Sequence, residues 1–211
     1  MRFRNKAKNT PATSPAPETA EVAPDTPAAE TARGPVDLAD APQGVDRVDL
    51  GSLKVAPTPG RELRLQVEEA SGQVASVMVV GPDGAVEFQA FAAPRNGNLW
   101  AEVRPQLVAD VVGRGGSVDE IDGPFGTELL CQMVVNQPDG TTTTQPTRVV
   151  GVNGPRWMLR ATFMGAPGRG GAGAEAWAEV LDAIVVDRGA NAMPVGQALP
   201  LTLPDDARRV R

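Results

Sequence analysis

The sequence predicts an α+β fold, in which a duplicated βββα unit forms one pseudo-symmetric antiparallel-sheet domain with two main helices. Residues 60–116 contain three apolar segments with strand periodicity followed by a helical segment, and residues 127–190 repeat this order. Because one such unit leaves a sheet face uncovered, we expect the two units to join their sheets or to stack around a twofold axis.

The recurrence extends to short motifs in the same order along the chain. Small insertions separate them, and chance similarity in a chain rich in Val and Gly is the alternative interpretation. The matching pairs are VVGPDG (79–84) with VVGVNG (149–154), WAEV (100–103) with WAEV (177–180), and VVGRG (111–115) with VVDRG (185–189).

Strand periodicity occurs in six segments, and turn signals such as GPDG and NQPDG separate neighbouring strands. Pro146 has no N–H for the ladder, so its segment is predicted to be an edge strand. The strands are predicted over 61–67, 74–80 and 85–92 in the first unit, and over 127–135, 141–150 and 156–164 in the second.

Apolar residues at helical spacing predict two helices. The first has Asn98 as its N-cap and ends at Gly113 or Gly115, while Pro105 is expected to kink it or to mark its true start. The second is predicted over 174–189. The inward stripes are Trp100, Val103, Leu107, Val108 and Val111 in the first helix, and Trp177, Val180, Leu181, Ile184 and Val185 in the second.

Composition predicts one folded domain between two tails. Residues 1–47 begin with a basic tip and continue rich in Pro, Ala and acids, so they are predicted to form a disordered arm. A single α+β domain is expected over 48–204. Its last part, 193–204, is expected to dock as an extended strap, and residues 205–211 are expected to fray.

The residue types present limit the chemistry. The chain has no His, one Cys and no Tyr, which excludes Ser-His and Cys-His nucleophile arrangements, disulfides within the chain and most zinc sites. No cofactor is predicted. The net charge of -6 disfavours general nucleic-acid binding by the whole chain. No signal peptide or apolar run of membrane-spanning length is evident, which favours a cytoplasmic protein.

Three local features have both a functional and a structural interpretation. GRGGAG at 168–173 has the spacing of a dinucleotide loop, but the preceding strands are expected to be antiparallel, which favours a plain loop. The acids in SVDEIDG, at 119, 120 and 122, have the chemistry for proton transfer or cation binding, but they more simply form a polar connection. Cys131 alternates with apolar neighbours and is expected to lie in the core.

The segment GPRWMLRATFM suggests an interaction surface. Alternation places Trp157 on the core face of a strand and Arg156, Met158 and Arg160 on the other face. With Arg169 in the following loop, these three residues form the candidate interaction surface. The cations and the Trp therefore do not share a face, which argues against a platform for stacking bases.

The N-terminal tip is the other candidate surface. Arg2, Arg4, Lys6 and Lys8 lie within eight residues and could attract an anionic partner. Nucleic-acid association is predicted only through this tip, and a solvated segment that aids solubility is the alternative.

Several separated motifs resemble a family of uncharacterised actinobacterial proteins. They are VDLGSL (48–53), GPFGTELL (123–130), GVNGPRWMLRATFMG (151–165) and LPLTLP (199–204). The family is a domain of unknown function, and its genes are often found near the dUTPase gene. The resemblance covers roughly residues 45–204. It implies a cytoplasmic actinobacterial protein and transfers no catalytic residues.

These features predict a non-enzymatic cytoplasmic binding or adaptor module that docks a protein partner. The alternative is binding of a nucleotide or a phosphorylated small molecule, with or without catalysis. In that alternative Arg156, Arg160 and Arg169 would act together with Asp119 or Glu120.

Overall fold

The computed structural model describes residues 34–204, apart from the side chains of residues 172 and 173. These residues form two α-helices and eleven β-strands in two sheets, so the α+β class is confirmed. The helices are α1 (Leu99–Gly113) and α2 (Ala172–Asp182). The predicted N-terminal tip, the arm up to residue 33 and the tail 205–211 lie outside the described residues.

The larger sheet has seven antiparallel strands. They are β4 (Glu62–Val67), β5 (Val74–Val80), β6 (Gly84–Ala92), β7 (Ser117–Gly123), β8 (Gly126–Asn136), β9 (Thr142–Gly154) and β10 (Trp157–Gly165), and their spatial order is β4-β5-β6-β10-β9-β8-β7. The strands come from two sequence-local groups that meet where β6 pairs with β10.

A smaller sheet of four short strands joins distant parts of the chain. They are β1 (Val36–Asp37), β2 (Val48–Asp49), β3 (Leu53–Val55) and β11 (Ile184–Val186), in the order β1-β11-β3-β2. The strand β11 pairs parallel with β1 and antiparallel with β3.

One face of the large sheet packs on α2 and on the small sheet, and we call it the α2 face. Trp157, Leu159 and Phe163 of β10 point into this core, as the alternation predicted, and each is at most 1 % exposed. The α2 residues Trp177 and Leu181 pack against them. Removing such large apolar side chains from water supplies most of the stabilisation of this layer.

The opposite face packs on α1, and we call it the α1 face. Asn98 caps the helix as predicted, since its side chain accepts a hydrogen bond from the Ala101 N–H at 3.0 Å. The Trp100 ring lies directly over Gly151, where any Cβ would be 2.1 Å from a ring carbon. Pro105 lies exposed inside a helix that is continuous from Leu99, so it does not mark the helix start.

Regular structure precedes Val48, the predicted start of the domain, since β1 and a 3-10 turn (Leu38–Asp40) lie before it. The Trp157 indole N–H donates to an Asp37 carboxylate oxygen at 2.8 Å, and the Gly34 N–H donates to Asp182 at 2.6 Å. Together with the pairing of β1 and β11, these bonds hold a segment whose own composition is poor in bulky apolar residues. Such long-range anchors leave no local sequence signal.

Two predicted segments have a different secondary structure. The second helix ends at Asp182, and Ile184–Val186 form β11 instead, because a β-branched run suits a strand buried on both sides. The expected polar connection SVDEIDG is the edge strand β7.

Pro146 lies in a strand, β9, that has neighbours on both sides, so the edge prediction is wrong. Its own position is compatible with a proline because β9 pairs with β10 only from Thr147 onwards.

The predicted duplication stays a prediction. The strand order places β4-β5-β6 beside β10-β9-β8, as two joined units require. However, α1 and α2 lie on opposite faces of the sheet, whereas a twofold axis normal to the sheet would place both on one face.

The segment 193–204 runs along the sheets, as expected of a strap. Ala198 forms a bridge with Phe91, and Leu201 forms bridges with Gly51 and Val74. Leu199 is 4 % exposed and belongs to the core on the α2 face.

Candidate functional site

The α1 face of the large sheet is only partly covered. Seven strands about 4.8 Å apart span roughly 29 Å between the outer strands, whereas one helix with its side chains is about 10–12 Å wide. The helix α1 packs on β7, β8 and β9. A groove therefore runs along the side of α1, between the helix and the part of the sheet that the helix leaves uncovered.

This groove has a volume of about 320 Å³. Its floor is the α1 face of β8 and β9, one wall is the C-terminal half of α1, and the other side is β10. Most of the lining is apolar. The lining includes Leu107 and Val111 of α1, Leu129, Cys131 and Met133 of β8, Thr147 and Val149 of β9, and Arg160, Thr162 and Met164 of β10.

Arg160 is the cation in this lining that is partly buried. Its guanidinium donates a hydrogen bond to the Gln89 side-chain oxygen on the neighbouring strand and lies 5.4 Å from the centre of the Phe91 ring. Burial lowers the pKa of Arg160, while the charge of Glu87 raises it. An arginine nevertheless remains charged in a protein, so the groove contains a fixed positive charge.

This charge has no close acidic partner among residues 34–204. The ion pairs formed within 4.0 Å in that part of the chain do not include Arg160. Glu87 lies on the adjacent strand, opposite Thr162, and acts on Arg160 only at longer range. A partly buried cation that is hydrogen-bonded to a neutral amide favours an incoming anion.

The second cation of the groove differs from the first. Arg114 pairs with Asp110 at 3.2 Å, and both side chains are about 70 % exposed, at 70 % and 69 %. Exposed pairs of this kind contribute little energy. Arg114 therefore marks the mouth of the groove and already has its counter-charge.

Cys131 lies in the groove floor and is 2 % exposed, which confirms its predicted core position. Burial raises the pKa of its thiol, so the reactive thiolate is disfavoured at neutral pH. The groove therefore combines a mostly apolar surface, one cation outside any ion pair among residues 34–204 and a thiol that is a poor nucleophile.

The structure does not bring the four predicted interaction residues together. Met158 is 2 % exposed and packs in the core under α1, so it cannot belong to a surface. Arg156 lies in the turn before β10 with a φ of 63°, and its carbonyl accepts hydrogen bonds from Ala93 and Arg188. Arg169 is exposed in a short 3-10 turn after β10. Of the four, Arg160 remains as a groove residue.

The predicted pocket of arginines and acids is also not assembled. Asp119, Glu120 and Asp122 are exposed on β7, and Glu120 pairs with Arg104 at 3.2 Å. None of these acids lines the groove. Charges on an edge strand discourage pairing with another sheet. Within residues 34–204 no group of three His, Cys, Asp or Glu side chains could hold a metal ion.

The GRGGAG segment follows an antiparallel strand, so the parallel βαβ context of a dinucleotide site is missing. Gly168 has a packing reason to be a glycine. A Cβ there would lie 2.7 Å from the carbonyl oxygens of Phe163 and Pro146. This agrees with the plain-loop interpretation.

Gln89, Phe91 and the flank of α1 were not predicted as site residues. Gln89 is 71 positions from the arginine that it holds. Only the pairing of β6 with β10 connects the two residues, and no local motif marks it.

Comparison with known proteins gives a family and no activity. No curated protein matches the chain. Within residues 34–204 no helix has the length and apolarity needed to cross a membrane. A family match extends over residues 34–210, well beyond half of the chain. The chain therefore belongs to the family described as "Protein of unknown function (DUF3710)".

Proposed function

We propose that this protein is a non-enzymatic binding module and that the groove beside α1 is its binding surface. The observation that carries the proposal is Arg160, a partly buried cation without a close acidic partner among residues 34–204, at the edge of a mostly apolar groove. Pockets with apolar walls and a few fixed polar groups are the usual form of binding sites.

Binding is favoured over catalysis by the chemistry of the lining. A nucleophile needs a base beside it, but Cys131 is buried with a raised pKa, and the chain contains no His. A nucleotide is a poorer fit than a singly charged ligand, because Arg114 is already paired with Asp110. Cytoplasmic location and actinobacterial origin, both expected from the sequence, form part of the proposal. The protein partner expected from the sequence and a small molecule are the two ligand classes that the experiment distinguishes.

The proposal is tested with methyl-labelled protein and two fractions of a native host extract, one of proteins and one of small molecules. Methyl signals of Leu107, Met133 and Met164 report on the groove, and those of Leu50 in the core on the α2 face serve as reference. We expect one fraction to shift the groove signals alone. If neither fraction shifts them, the proposed function is wrong.

A variant that fills the groove makes this test specific. Thr162 lines the groove and is half-buried, so Thr162→Trp should block binding without opening the core. Thr144→Trp is the matched control, since Thr144 is exposed and does not line the groove. Shifts that persist in Thr162→Trp would place the binding surface elsewhere.

A further inference from the structure

We propose that the groove binds an amphipathic monocarboxylate, with its head group on the Arg160 guanidinium and its apolar chain along the flank of α1. This inference rests on the proposed function and names the ligand class of the same groove. Its two parts, the head and the chain, are supported by different residues.

The head-group site is preorganised. Arg160 has five N–H donors in a planar fork, and its donation to Gln89 leaves others for a ligand. The Phe91 ring below and the Gln89 amide beside it hold the guanidinium in one orientation. A carboxylate matches such a fork with two parallel hydrogen bonds, and the order already imposed on Arg160 reduces the entropy lost on binding.

The Glu87 carboxylate favours a head group with a single negative charge. This carboxylate is on the strand beside Arg160 and already acts on it electrostatically. Glu87 repels a singly charged head group less than it repels a phosphate dianion, so a monoanion is favoured. Arg114 at the groove mouth gives no second free cation, because Asp110 neutralises it.

The chain site is the mostly apolar trough that leads away from Arg160. Along β9 it extends from Val149 to Gln145, which is four residues or about 13 Å of strand. Leu107 and Val111 line one side of it, and Met133 contributes a side chain that adapts to irregular shapes. An extended hydrocarbon chain fits such a trough and gains by leaving water.

The experiment is calorimetric titration of the full chain with decanoate, compared with decanol, acetate and decyl phosphate. We expect decanoate to bind more tightly than each of the other three. Decanol has the same chain without the carboxylate, so it measures the contribution of the head group. Acetate has the carboxylate without the long chain, so it measures the contribution of the chain. Decyl phosphate tests the preference for a monoanion. Methyl shifts of Leu107 and Met133 should accompany binding of decanoate.

Two variants assign the head group. Arg160→Met should weaken decanoate roughly ten- to a hundredfold, the range for a charge-assisted hydrogen bond, and leave decanol unchanged. Glu87→Gln should tighten decanoate severalfold, because it removes the competing negative charge. If Arg160→Met fails to fold, the decanoate affinity of Glu87→Gln tests the head-group assignment by itself. An unchanged decanoate affinity in that variant overturns the proposal.

The outcomes separate the two proposals. Equal binding of decanol and decanoate, or undiminished decanoate binding by Arg160→Met, overturns the head-group assignment while leaving the groove as a binding surface. If none of the probes binds but an extract fraction shifts the groove methyls, the monocarboxylate is wrong and the proposed function stands. If neither probes nor extract act on the groove, both fail.

Discussion

The buried ion pair between Glu128 and Arg148 gives the sharpest prediction about stability. Their side chains are 0 % and 4 % exposed, and Arg148 Nη1 lies 3.0 Å from Glu128 Oε2. At this distance the attraction is about 5 kcal/mol for an effective dielectric constant of about 20. Arg148 also lies 4.4 Å from the centre of the Phe163 ring, and its Nε and Nη2 have no hydrogen-bond partner among the described residues.

Each charge therefore depends on the other. Glu128→Met leaves a buried guanidinium without its counter-charge and should lower the free energy of unfolding by about 3–5 kcal/mol. Arg148→Met should cost a similar amount at about pH 8. The double variant replaces the pair by apolar side chains and should lie within about 2 kcal/mol of the unaltered protein.

The two single variants should differ in their dependence on pH. Burial raises the pKa of Glu128, and Arg148 lowers it, so removing Arg148 raises this pKa further. When the pKa of Glu128 is higher in the folded than in the unfolded state, the stability that this carboxyl group contributes is fully present below about pH 4.3. That contribution is lost as the pH rises through the folded-state pKa. The deficit of Arg148→Met should thus be smaller at about pH 5 than at about pH 8. That of Glu128→Met should not shrink at about pH 5, because the raised pKa of Glu128 makes the unaltered protein itself more stable at low pH, whereas this variant lacks that carboxyl group.

Urea unfolding of the four proteins at both pH values measures these energies as a double-mutant cycle. A double variant that loses the sum of the two single losses would refute the reasoning, because the charges would then be energetically independent. If Glu128→Met does not fold, the pH dependence of Arg148→Met still tests the account, and an equal deficit at both pH values would contradict it.

Two further predictions concern packing between distant segments. Gly151→Ala should lower the free energy of unfolding, measured in urea, by about 2–4 kcal/mol, because the new Cβ would clash with the Trp100 ring. Gly113→Ala is the control, since a Cβ at that position would meet open space. A loss of equal size in Gly113→Ala would contradict this account. Trp157→Phe removes the hydrogen bond to Asp37 and should speed the hydrogen exchange of the β1 amides more than that of the β5 amides. An equal change in the exchange rates of both strands would show that this bond does not hold β1 in place.

Local periodicity was sufficient to predict six strands of the large sheet and the helix α1, but not the small sheet. The segment predicted over 74–80 is β5 with those bounds, and the Asn98 cap is where the sequence placed it. Both signals are contained within a few neighbouring residues. Where an element depends on distant partners the prediction failed. Ile184–Val186 continue a helical stripe in sequence, and only pairing with β1 and β3 makes them a strand.

The candidate site was less predictable than the fold for the same reason. The alternation correctly placed Arg160 and Trp157 on opposite faces of β10. It also predicted that Met158 would lie on an interaction surface, whereas Met158 is buried under α1. Periodicity states which side chains share a sheet face but not which part of that face is covered. Coverage depends on where α1 lies after leaving β6, and no residue of the predicted surface encodes this.

The groove is a consequence of the face to which α1 turns. On the α2 face, one helix, four short strands and the C-terminal strap share the cover of the large sheet. On the α1 face, one helix lies over β7, β8 and β9, although it follows β4, β5 and β6 in the chain. Had α1 packed on the same face as α2, as a strict twofold repeat requires, Arg160 would lie on a fully open sheet surface. It would then be solvated like any surface arginine and would provide no enclosed anion site. The packing of α1 on the face opposite α2 is therefore what places an apolar wall beside Arg160.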